Sequence, residues 1–181
     1  MRKLWSAMAI ALIPLLALAS CRKEKTEEVA EPSSFSFNVY PGARYQARLT
    51  ELAKQAHNVE KPNEPAPPTA IYDVDAPIDA VAEFYARAYG YGHVAPDATN
   101  NLSAAKPAAY YRTGDLHADV VAIQPVLQKM NLKVDVSKAQ GKYRAAEIEG
   151  KPNQPRVTIQ RPYFDVTTSQ VVDRTIILMA P

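Results

Sequence analysis

The chain has a single cysteine among 181 residues. It can therefore form neither an internal disulfide nor a thiolate metal site. Glycine is scarce, six residues against fifteen prolines, so the connections are stiff rather than floppy. No excess of one charge is present: 21 Lys and Arg meet 19 Asp and Glu, a formal +2. Nucleic-acid binding needs a dense basic face, and this balance excludes it. The usual catalytic signatures are also missing. There is no G-x-S-x-G elbow, no H-E-x-x-H, no G-x-x-x-x-G-K-[ST] and no Rossmann fingerprint after a strand, so no cofactor is implied. What remains is an ordinary globular composition, 47% apolar, of a length that suits one domain.

The one long apolar run stands at the start. After Met1-Arg2-Lys3 the chain is apolar from Leu4 to Ala19, broken only by Ser6 and Pro14. Those 16 residues fall short of the ~20 that span a bilayer. A basic start, an apolar middle and a small-residue exit make up a secretory signal peptide over residues 1–20. The exit reads Leu18-Ala19-Ser20-Cys21 and resembles the lipobox of bacterial lipoproteins. That resemblance implies that the Cys21 thiol takes up a diacylglyceryl group as a thioether, and that cleavage before Cys21 frees its amino group for further acylation. Two or more chains anchor a protein stably where one does so only marginally. The membrane is then a partner through the anchor at Cys21, without being spanned. Residue 22 is Arg rather than Asp, and Asp there is the enterobacterial inner-membrane retention signal, so the resemblance favours the outer membrane.

Residues 22–34, RKEKTEEVAEPSS, carry seven charges of both signs and one β-branched apolar residue, Val29. They cannot bury enough surface to offset ordering entropy, so residues 21–34 read as a lipidated cysteine and a disordered tether. Such a tether reaches roughly 40 Å when extended.

From residue 35 to 181 the pattern is that of a single globular domain. Residues 35–40 alternate apolar and polar like a short strand before Pro41-Gly42. Tyr45, Leu49, Leu52 and Ala56 share one helical face, ending near His57-Asn58. Four prolines between Pro62 and Pro68 form a rigid connection. Ala70–Val74 reads as a strand. A helix follows, with Asp75 as cap, Pro77 in the first turn, and an apolar stripe of Ile78, Val81, Phe84, Tyr85 and Ala88. A third helix starts after Asp115, with Pro125 expected to kink or split it. Strands are predicted at residues 132–136, 143–149, 156–161 and 171–179, with Arg161-Pro162 at a bulge or edge. The predicted fold is α+β: about three helices followed by an antiparallel sheet of about four strands, with the helices on one face.

Several side chains invite a functional reading. Asp115, His117 and Asp119 lie close in sequence, but one helix directs His117 away from the two carboxylates. Asp73, Asp75 and Asp79 superficially suit a hard cation, yet lack the central Gly and closing Glu of a calcium loop, so no metal site is assigned. His57 and His93 stand near helix ends, where an imidazolium suits the helix dipole. Asn101-Leu102-Ser103 fits a glycosylation acceptor pattern that a bacterial lipoprotein rarely uses. The sharpest binding expectation is a tyrosine-lined groove of Tyr91, His93, Tyr110 and Tyr111, because tyrosine offers a flat ring with a polar tip. Tyr40-Pro41-Gly42-Ala43, with Asp75-Ala76-Pro77 and Phe84-Tyr85, resembles small envelope lipoproteins of unassigned function, which carries no activity with it. The chain thus reads as a lipid-anchored envelope module on the periplasmic side, binding an envelope protein or cell-wall component. The alternative is a small hydrolase or metal-dependent enzyme using Asp115, His117 or Asp119.

Overall fold

A computed structural model describes residues 37–96 and 107–180. The predicted signal peptide, Cys21, the predicted tether and Asn101 lie outside these residues. In chain order the elements are β1 (Arg44–Tyr45), α1 (Ala47–Glu60), β2 (Ala70–Val74), α2 (Ile78–Ala88), β3 (Ala109–Asp115), α3 (Leu116–Lys129), a 3-10 turn (Val136–Lys138), β4 (Lys142–Ile148), β5 (Arg156–Arg161), β6 (Tyr163–Asp165), β7 (Gln170–Val172) and β8 (Thr175–Ala180). The class is α+β, as expected. The main sheet, however, has six strands rather than four, in the order β1-β2-β8-β5-β4-β3, and β6 and β7 form a separate pair. All strand pairs are antiparallel. Helices and strands alternate through the first two thirds of the chain instead of preceding the sheet.

The helices do not share one face. In β4 the buried side chains alternate: Ala146 and Ile148 join the large core under α2, while Tyr143 and Ala145 join a second cluster with Leu116 of α3. The pleat directs successive residues to opposite faces, so α2 and α3 cover opposite sides. α2 seats Val81, Ala82, Tyr85 and Ala86 on Ile148, Val157, Ile159, Ile177 and Met179, all 0–1% exposed. The small side chains of Ala82, Ala86 and Ala146 let helix and sheet approach closely, and each large apolar side chain so buried contributes about 1.5–3 kcal/mol. α1 packs on α3 and on β2. It also finishes the β2 edge, where the Gln46 amide donates to the Ile71 carbonyl at 2.8 Å and the Ile71 amide to Thr50 Oγ1 at 3.0 Å.

Local details depart from expectation for identifiable reasons. Phe37–Tyr40 is not a strand, and pairing begins only at Arg44. α2 is entered through Pro77 without a side-chain cap. Asp75 instead lies 3.8 Å from Arg161. Residues 132–136 alternate in burial yet join no ladder. Asn131 adopts a left-handed φ of 57° as α3 closes, and Asp135 takes the Ser137 amide at 3.2 Å, a local turn that competes with strand pairing. The predicted strand 171–179 divides at Asp173-Arg174 as the chain passes from the small pair to the main sheet. β5 ends at the cis Arg161-Pro162 bond. α3 runs unbroken through Pro125, which is on the exposed side of the helix, where the carbonyl that loses its donor is not sealed in a core. No described helix is long and apolar enough to cross a membrane.

Candidate functional site

α2 buries Val81, Ala82, Tyr85 and Ala86 and thereby turns Ala80, Phe84 and Arg87 outward. The chain reaches this surface through a turn at Tyr40-Pro41-Gly42. There the Ala43 amide bonds the Tyr40 carbonyl at 3.0 Å, and Gly42 takes the positive φ of 79° that a side chain resists. The turn lays Tyr40 edge-on to Phe84, centroids 5.3 Å apart, and the Tyr40 amide donates to the Tyr85 hydroxyl at 3.1 Å. Tyr40, Pro41, Ala80, Phe84 and Arg87 line an open groove of about 320 Å³, at the small end of the ~300–1,000 Å³ typical of ligand sites. Arg87, with its side chain 73% exposed, meets Glu83 at 3.9 Å and no other carboxylate among the described residues, so its guanidinium faces solvent. Two ring edges beside one cation suit a flat or apolar group that carries an anion.

The aromatic row continues inward from the groove. Phe84 meets Tyr85, Tyr85 meets Tyr89, and Tyr89 meets Tyr91, at 5.1, 6.4 and 6.4 Å. These hydroxyls are committed. Tyr89 donates to the Pro155 carbonyl and Tyr91 to that of Glu149, each at 2.9 Å, while Lys151 Nζ sits 4.6 Å over the Tyr91 ring. Burial pushes the Tyr85 and Tyr89 phenols up, Tyr89 to about 12.

The expected groove of Tyr91, His93, Tyr110 and Tyr111 is not assembled. Tyr110 and Tyr111 are neighbours in β3 and so point to opposite faces of the sheet. Tyr111 is buried in the α2 core. Arg144 lies over its ring at 3.8 Å and is held by Asp79 at 2.7 Å. His93 is exposed.

On the other face a chain of polar groups crosses the sheet. Tyr143 of β4 donates to Asp119 of α3 in a very short bond and accepts from Arg112 Nη1 of β3 at 2.6 Å. Arg112 Nε donates to Glu147 Oε1 at 2.9 Å. Glu147 Oε2 takes Thr158 Oγ1 at 2.8 Å and has Arg156 at 3.6 Å. The Glu147 side chain is only 8% exposed, and leaving such a buried charge unpaired costs about 3–5 kcal/mol. Burial and the Asp119 carboxylate both push the Tyr143 phenol up. Every oxygen named here is already bonded, so the chain clamps α3, β3, β4 and β5 together.

The alternative catalytic set is therefore dispersed. Asp115 caps α3, accepting from the Ala118 amide at 2.9 Å, Asp119 serves Tyr143, and His117 is exposed. Asp73, Asp75 and Asp79 also part company. Asp73 holds Gln46 at 2.8 Å and Arg174 at 2.5 Å, Asp75 faces Arg161, and Asp79 holds Arg144. Among the described residues no three His, Cys, Asp or Glu side chains gather to hold a metal ion. His57 is not the solvated cap its position suggests, since its Nε2 is buried with no hydrogen-bond partner among the described residues. The groove itself was missed because Phe84 reads as part of the buried stripe. The signal was Arg87 three residues on, which marks that side of α2 as solvent-facing. No family model, curated protein or solved structure matches this chain.

Proposed function

We propose that this chain is a lipid-anchored protein of a bacterial cell envelope, tethered through Cys21. Its domain faces the periplasm as a non-catalytic binding or structural module for an envelope protein or cell-wall component. The observation that carries the reading is Leu18-Ala19-Ser20-Cys21 at the end of a 16-residue apolar run that follows a basic start. Arg22 in place of Asp favours the outer membrane. Binding rather than hydrolysis is supported by the commitment of Asp115 and Asp119 to a cap and a clamp. The site offered for recognition is the Tyr40–Phe84–Arg87 groove, whose Tyr40 follows the predicted tether by only six residues in sequence. It suits an anionic peptide or glycan segment that presents a flat or apolar group. Growth of cells on labelled palmitate tests the anchor: the wild-type chain incorporates label and Cys21→Ala does not. Equal label in both would refute it.

A further inference from the structure

The Tyr40–Phe84–Arg87 groove has a direction. Ala80, Phe84 and Arg87 stand at i, i+4 and i+7 on α2, so they follow one another along the helix over about 10 Å, at ~1.5 Å per residue. One end of that row is the exposed Ala80 methyl, the other the Arg87 guanidinium. Tyr40 and Pro41 complete the lining.

The groove is poor in hydrogen-bonding groups. Among its lining side chains only Tyr40 and Arg87 carry any. Its backbone is largely spent. The Tyr40 amide donates to the Tyr85 hydroxyl, the Tyr40 carbonyl accepts from Ala43, and the Ala80 amide donates to the Pro77 carbonyl. Pro41 has no N–H. A sugar ring carries hydroxyls around its rim, and against Pro41, Ala80 and Phe84 these would give up water without replacement, at a cost for each. The middle of a peptide chain meets the same difficulty, since its amides and carbonyls repeat at every residue. A chain end differs. Its last residue joins one apolar side chain to one carboxylate, and those two groups match the two ends of the groove.

Charge and size point the same way. Glu83 stays a loose 3.9 Å from Arg87, while its other oxygen accepts the Val94 amide at 3.3 Å. Such an exposed i,i+4 pair adds little stability, so Arg87 can exchange it for a carboxylate gripped through both oxygens by the guanidinium fork. The groove's 320 Å³, at roughly 30 Å³ per water-sized group, admits about ten non-hydrogen atoms, the size of one residue. An open groove lets the rest of a chain leave into solvent.

We propose that this groove binds the carboxyl-terminal residue of a peptide chain, its carboxylate on Arg87 and its apolar side chain along Phe84 and Ala80. The proposal rests on the reading of the groove as the recognition site.

The test uses the full chain, purified in detergent from bacteria, and follows the fluorescence anisotropy of the peptide Gly-Ser-Gly-Phe labelled at its amino end. The free carboxylate form should bind about tenfold more tightly than the carboxamide. In Arg87→Gln, changed at an exposed position, both forms should bind equally and at the weaker value. Arg87→Lys keeps the charge without the fork and should recover only part of the difference. Ala80→Glu, exposed at the opposite end, should weaken both forms. Equal binding of the two forms by the unaltered chain overturns the proposal, as does a preference for the carboxylate that survives Arg87→Gln. A labelled disaccharide of N-acetylglucosamine and N-acetylmuramic acid is the second probe. If it binds the unaltered chain but not Arg87→Gln, and the peptide binds neither, the peptide proposal falls while the groove stands as the recognition site. Binding of neither probe removes both.

Discussion

Gly114 decides how Tyr143 lies. A methyl group built there would stand 2.2 Å from the Tyr143 ring, the residue directly across from it in the β3–β4 register. Gly114→Ala therefore forces the ring out and with it the bonds to Arg112 and Asp119. The expected loss of stability is about 1–3 kcal/mol, read as a lower urea midpoint. An unchanged midpoint would show that the clamp contributes nothing. Other single residues were readable from local chemistry alone. Asp115 precedes an apolar period and has no other local use, and it does cap α3. Arg144 over Tyr111 was not readable, because its partners Tyr111 and Asp79 are 33 and 65 residues away, and no local pattern encodes a cation over a ring at that separation.

At the scale of elements, periodicity served where one face alone is buried. β5, which alternates in burial, stands at the predicted residues, and α3 begins directly after Asp115 as predicted. β2 also stands at its predicted residues, though it is buried along its whole length and was legible as a short apolar run rather than by period. α2 begins at Ile78, two residues past the start that an Asp75 cap implied. Periodicity failed where burial and pairing separate. Leu132, Val134 and Val136 are half-buried in alternation yet lie outside any ladder. β3 was overlooked although Tyr110, Tyr111 and Thr113 favour strands, since its tyrosines drew a binding interpretation instead. Pro125 leaves α3 intact because the helix is solvated on that side.

For the whole molecule, the sheet order could not be read, since β2 is completed by β8 about a hundred residues later and by β1 on its other edge. That closure buries a set of phenols together. Burial raises Tyr89 and Tyr163 to about 12, and Tyr85 and Tyr111 are raised as well. In the unfolded chain each ionises near pH ~10. Their folded-state pKa values lie above the unfolded one, so this stability is complete below about pH 10 and is lost as the pH climbs towards about 12. Circular dichroism should show cooperative alkaline unfolding in that window. Tyr89→Phe should make the decline shallower while costing about 1 kcal/mol at neutral pH for the abandoned Pro155 carbonyl. A wild-type chain fully folded at pH 12 would contradict the burial of these rings.

Charge, too, belongs to the whole chain. Arg2 and Lys3 precede Cys21, so if the chain is cut before Cys21, as proposed, two of the 21 basic residues are lost and the side chains balance at 19 against 19 acidic ones. The proposal that Cys21 is the first residue of the processed chain is tested most directly by intact mass and N-terminal peptide mass of protein isolated from bacterial membranes. A chain that starts at Cys21 with diacylglyceryl mass on that residue is the predicted result. A chain that retains Met1, or is cut elsewhere with an unmodified Cys21, would contradict it.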